Sequence, residues 1–130
     1  MEQILTVSGL KKSYGKVQAV KGISFYVDRG SLFAFLGPNG AGKSTTIDMI
    51  CTLLQPDDGE IFLDGKKIGQ DDDAIRSCIG VVFQDSVLDD LLTVKENLEV
   101  RGSFYGLDKA KLASAINFAV DAAGVGDFLN

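Results

Sequence analysis

Between Gly37 and Ser44 the chain reads GPNGAGKS, which satisfies the spacing G-x-x-x-x-G-K-[ST] of a Walker A loop. The spacing has a physical cause. To ring a polyphosphate, successive backbone N–H groups must point inward, and that demands dihedrals which residues with a Cβ resist, so glycine stands where the chain bends hardest. A helix that starts at the loop aims its unpaired N–H groups and about half a positive charge at the anion. Lys43 adds a full charge able to reach the outer phosphates, and the Ser44 hydroxyl offers oxygen to the magnesium ion that accompanies ATP. The chemistry indicated by Gly37, Pro38, Asn39, Gly40, Ala41, Gly42, Lys43, Ser44 and Thr45 is therefore capture of a nucleotide's phosphates with Mg2+.

Such a loop works only between a buried strand and a helix, and the flanking sequence supplies both. Ser31 to Leu36, SLFAFL, is a short continuous apolar run of the kind found in a strand covered on both faces. Past the loop, Ile47, Ile50, Cys51 and Leu54 recur at helical spacing until Pro56. Upstream, Ile4 to Val27 reads as extended chain with a turn at Tyr14-Gly15, and Ile23, Phe25 and Val27 alternate as in a half-buried strand. Downstream, EIFLDG is a strand closing in an Asp64-Gly65 turn, DDDAIRSC a short helix with acids at its start, and IGVVFQ a second buried strand. The character then changes to helix near Gln84. Thr93 and Glu96 form a capping box ahead of VKENLEVRGSFYG with Gly106 as its stop, and Asp108 caps a helix whose apolar face is Leu112, Ala115, Ile116, Ala119 and Val120.

At 130 residues the chain fits one modest domain, with 45% hydrophobic residues to build a core. Thirteen Lys and Arg against 18 Asp and Glu leave a net charge of −5, the wrong sign for a general nucleic-acid binder. No apolar run approaches the roughly 20 residues that cross a bilayer, and the N-terminus lacks a signal-peptide layout, which places the protein in the cytoplasm. Cys51 and Cys78 read as reduced, buried small hydrophobes. With no histidine, no imidazole base or ligand is available within these residues.

The fuller string GPNGAGKSTT resembles the nucleotide-binding domains of ATP-binding cassette (ABC) proteins, and the likeness covers essentially the whole chain. It implies an α/β fold: a P-loop NTPase core with an antiparallel β subdomain, a partial parallel sheet with helices, and a helical subdomain cut short. Residues 1–84 would form the nucleotide-binding core with the Walker A loop and Q-loop, and 85–130 the start of the helical subdomain. By resemblance Tyr14 stacks on adenine, as a flat, partly apolar ring suits. PDDGEIFLDGKKI resembles the family's antiparallel strand and turn, in which Asp64 is structural. VVFQD looks like the Q-loop, with the amide of Gln84 serving magnesium or the attacking water, so that Lys43 and Gln84 are the catalytic candidates, and Ser44 and Gln84 the metal ligands.

The segment LDDLLTVKENLEVRGSFYGL resembles the region of drug and polyketide exporter ATPases that receives a helix from the membrane permease, a contact that would expose Leu88 and Leu91. A signature motif of the form LSGGQ, an apolar strand ending in Asp-Glu and a switch histidine are not found in the sequence. The resemblance therefore implies the N-terminal part of an exporter ATPase, working beside a second ATPase protomer, peripheral at the cytoplasmic membrane face through the permease. These residues alone are expected to hold Mg-ATP without turning it over. A soluble ABC protein of ribosomes or DNA, and a stand-alone nucleotide-binding regulatory module, are the competing readings.

Overall fold

The computed structural model describes residues 2–129, which divide into two units between Val82 and Phe83. In the first unit, β1 (Gln3–Tyr14) and β2 (Val17–Asp28) form a long antiparallel hairpin, and β3 (Asp58–Leu63) and β4 (Lys66–Lys67) extend it to a sheet of order β2-β1-β3-β4. Every pairing is antiparallel. Leu5, Val7, Val20 and Ile61 of the sheet enter the core with Met49 of α1 (Lys43–Ile50) and Ile75 of α2 (Asp72–Arg76), and Ile23, Phe25 and Val27, whose alternation the sequence showed, pack half-buried against it. The Asp64-Gly65 turn joins β3 to β4 with φ of 49° and 73°, the two positive values that a type I′ hairpin requires.

α1 stops earlier than its apolar periodicity predicts. Thr52 takes φ 61°, its N–H donates to the Met49 carbonyl at 3.2 Å, and the Leu53 N–H donates to the Asp48 carbonyl at 2.9 Å. This is a Schellman closure, so Leu54 and Pro56 lie beyond the helix.

Among the described residues the strands of the partial parallel sheet are not paired. Ser31–Leu36 and the stretch through Val81–Gln84, both expected as buried strands, have no regular secondary structure. A strand persists by exchanging ladder hydrogen bonds with a neighbour, and among the described residues no strand pairs with either segment. Instead of being covered on both faces, the first segment is covered on one. Phe33 stacks on Phe25 at 5.3 Å between centroids and Phe35 meets the same ring edge-on at 5.1 Å, while Leu32 and Leu36 stand fully or nearly fully exposed.

The second unit contains α3 (Val94–Ser103), α4 (Lys109–Ala123) and a single 3-10 turn at Gly126–Phe128. Both helix starts are capped as their sequences require. Glu96 N–H donates to Thr93 Oγ1 at 3.2 Å while Thr93 N–H donates to Glu96 Oε2 at 2.8 Å, and Lys111 N–H donates to Asp108 Oδ1 at 2.9 Å. α3 ends at Ser103, ahead of the stop expected at Gly106, which sits in the following turn. Among the described residues no helix is long and apolar enough to cross a membrane.

Candidate phosphate-binding site

The loop from Gly37 to Gly42 takes its shape from glycine. Gly40 and Gly42 adopt φ of 83° and 82°, and the Ala41 N–H closes a turn on the Pro38 carbonyl at 3.3 Å. Gly42 is the N-cap of α1 and has no side chain with which to cap it. The N–H groups of the first helical turn, Lys43, Ser44 and Thr45, therefore meet no capping side chain and remain donors in search of an acceptor. The Gly42 carbonyl is held from the other side, accepting from Thr46 N–H at 2.9 Å and Thr46 Oγ1 at 2.8 Å, and Thr46 is buried.

A second constraint on Gly42 comes from β2. A Cβ added there would lie 2.3 Å from the Ala19 carbonyl oxygen and 3.2 Å from Val20 Cγ2. The strand backs the loop so closely that only a bare Cα fits.

Lys43 crosses the loop it follows. Its ammonium donates at 2.7 Å to the Gly37 carbonyl and at 2.7 Å to the Pro38 carbonyl, tying the first two loop residues to the start of the helix and leaving one N–H uncommitted. Ser44 is exposed beside it. A cleft of about 480 Å³ lies between Gly40-Ala41 of the loop and the Val17–Lys21 stretch of β2. Tyr14 ends β1 directly opposite Val17 and is 52% exposed, so the hairpin that carries it also forms a wall of the cleft.

The first unit thus gathers Gly37 to Thr45 at one place and carries Tyr14 on the hairpin bordering it. Gln84 belongs to the second unit, where it lies exposed in a bend. Ala19 and Thr46 escaped sequence reasoning. Nothing about an alanine in a strand signals that its carbonyl will fix a glycine elsewhere, although a hydroxyl on an otherwise apolar helix face was a visible hint. Asp64 accepts hydrogen bonds from Arg29 and from Lys66, which hold its carboxyl below the usual range, so its role is to fasten the hairpin turn. The cysteines need a correction. Both are free, but Cys78 is exposed because it follows the end of the short α2, and Cys51 is half-buried, its thiol pushed up by burial and by Asp48.

The donor set fits a polyphosphate: first-turn amides without a capping side chain, a lysine ammonium with capacity to spare, and a hydroxyl oxygen suited to a hard cation.

Comparison with known proteins bears on the family and the fold. A family model described as ABC transporter matches residues 20–130. The Nod factor export ATP-binding protein I of Ralstonia nicotianae is 45% identical over 109 residues, covering 84% of this chain and 34% of that protein. Among solved structures, cbiO1 from Clostridium perfringens, part of the ABC transporter complex cbiONQ, superposes with a TM-score of 0.85 at 29% identity, covering 100% of this chain and 54% of that one. A dimeric ATP-binding cassette in a post-hydrolysis state, bound to ADP and Pi, gives 0.81 at 29% identity, with 97% and 60% covered. The chain spans about a third of the length of the curated relative.

Proposed function

The chain belongs to the ABC transporter family, and from that membership we propose that it is the ATP-binding part of an exporter ATPase, coupling nucleotide binding and hydrolysis to transport in the full assembly. The observation that carries the proposal is the loop itself. Gly42 leaves the amides of Lys43, Ser44 and Thr45 without a cap at the mouth of a helix, and the Lys43 ammonium lies across the same opening. In this role the backbone amides from Gly37 to Thr45 bind phosphate oxygens, Lys43 neutralises the outer phosphates, and Tyr14 stacks on the adenine ring. Ser44 and Gln84 are the oxygen donors for Mg2+, and Gln84 also orients the attacking water. Magnesium, when bound, draws charge from the phosphates and so eases their transfer.

Residues 1–84 act as the nucleotide-binding core and 85–130 as the start of the helical subdomain. The stretch after Gln84 meets a helix of the membrane permease, a role supported by the exposure of Leu88 at 57% and Leu91 at 93%. A second ATPase protomer completes the site, in keeping with the dimeric cassette to which the chain is similar. Through the permease the protein sits at the cytoplasmic face of the membrane, and the export direction follows the name of the Nod factor relative.

Titration calorimetry of ATP with magnesium, on the wild-type chain and on Lys43→Ala, tests the proposal. The wild type is expected to bind, and the variant to bind at least about tenfold more weakly through loss of a charge-assisted contact. A folded wild-type chain that takes up no ATP would overturn it.

A further inference from the structure

Asn97 is a polar side chain enclosed in the second unit, 7% exposed, and its carboxamide is fully engaged. Oδ1 accepts from the Asp89 N–H at 2.9 Å, while the two N–H of Nδ2 are shared among the carbonyls of Asp89, Leu92 and Thr93 at 3.0, 3.2 and 3.1 Å. One amide orientation serves this set. The opposite one would turn oxygen toward three carbonyls and NH2 toward an N–H.

These partners are the two ends of a tight turn. The Leu92 N–H closes it on the Asp89 carbonyl at 3.2 Å, and the Asp89 carboxylate accepts from the Leu91 N–H at 2.9 Å. One helical turn along α3 from Asn97, Arg101 donates to the Val87 carbonyl. Residues 97 and 101 thus hold the Val87–Leu92 segment from one face of the helix. An unpinned segment of this composition would fold Leu88 and Leu91 onto whatever apolar surface it met. Held as it is, it keeps both in water.

We propose that Asn97 is a positioning residue, which by gripping the Asp89–Leu92 turn presents Leu88 and Leu91 as a fixed apolar contact for the permease helix. The inference rests on the docking of the permease after Gln84, and Asn97 acts on it only through the turn.

The test compares the full-length protein co-purified with its membrane subunit as wild type, Asn97→Asp, Asp89→Ala and Leu91→Asp. Asn97→Asp keeps the shape of the side chain and removes its donors. Three quantities are read: hydrogen exchange at residues 89–93, the dissociation constant for ATP, and the amount of membrane subunit recovered. Asn97→Asp is expected to speed exchange at 89–93 roughly tenfold, to leave exchange in α4 and ATP affinity unchanged, and to lower subunit recovery as far as Leu91→Asp does. Asp89→Ala, which changes no residue of α3 and removes only the bond from the Leu91 N–H, shifts exchange and recovery in the same direction by less, and serves if Asn97→Asp does not fold. Full recovery with Asn97→Asp and Asp89→Ala, against loss with Leu91→Asp, would overturn the positioning role alone. Full recovery with all three would overturn the docking reading and the inference with it.

Discussion

Gly42 and Gly40 share nearly the same positive φ, 82° and 83°, and face different surroundings. A Cβ at Gly40 meets nothing within 4 Å, whereas one at Gly42 meets the Ala19 carbonyl oxygen at 2.3 Å. Gly40→Ala is therefore expected to cost about 1 kcal/mol, the strain of a left-handed non-glycine residue. Gly42→Ala adds a backbone clash, for a total of about 3 kcal/mol or more, and removes ATP binding because the loop and strand must separate. Denaturant unfolding beside calorimetry checks the pair, and equal effects of the two substitutions would refute the role given to Ala19. The loop's identity was legible because its chemistry is local, from glycines to lysine to hydroxyl. The Ala19 contact joins residues 23 positions apart, 42 − 19, through space, and no spacing rule encodes it.

Caps and tight turns were the most legible elements for the same reason. The Thr93–Glu96 box, the Asp108 cap and the Asp64-Gly65 hairpin turn each satisfy backbone groups within a few residues, so their side chains announce them. Thr93→Ala is expected to destabilise the second unit by about 1 kcal/mol and to fray the first turn of α3, measured as a loss of amide protection there. The Glu96 carboxyl, held below its usual range by the Thr93 N–H first and its hydroxyl second, should rise only part of the way in the same variant, which removes the hydroxyl and keeps the N–H. The elements that did not form as read are the two expected parallel strands. An apolar run shows that a segment prefers burial, but a strand also needs a partner at ladder distance, and the run itself carries no record of that partner. The early end of α1 at Thr52 escaped for another reason: a β-branched residue seldom takes positive φ, so composition pointed to Pro56 instead.

Over the molecule as a whole, the antiparallel sheet buries a core while the stretch that leads into the loop leaves Leu32 at 100% and Leu36 at 92% exposure, with Val82 at 100% elsewhere in the same unit. Apolar side chains exposed to this degree favour association. The 130-residue chain is expected to self-associate as its concentration rises, and Leu32→Lys with Val82→Lys to return it toward a monomer in light scattering. A monomer at every concentration for the unaltered chain would contradict this. The seating of Gly42 against Ala19 carries one more consequence, for anyone wishing to reuse the phosphate loop. Its contour is moulded from outside by the neighbouring hairpin, so transplanting Gly37–Ser44 into a foreign scaffold would carry over the letters and lose the form. The portable unit is loop, helix and β2 moved together.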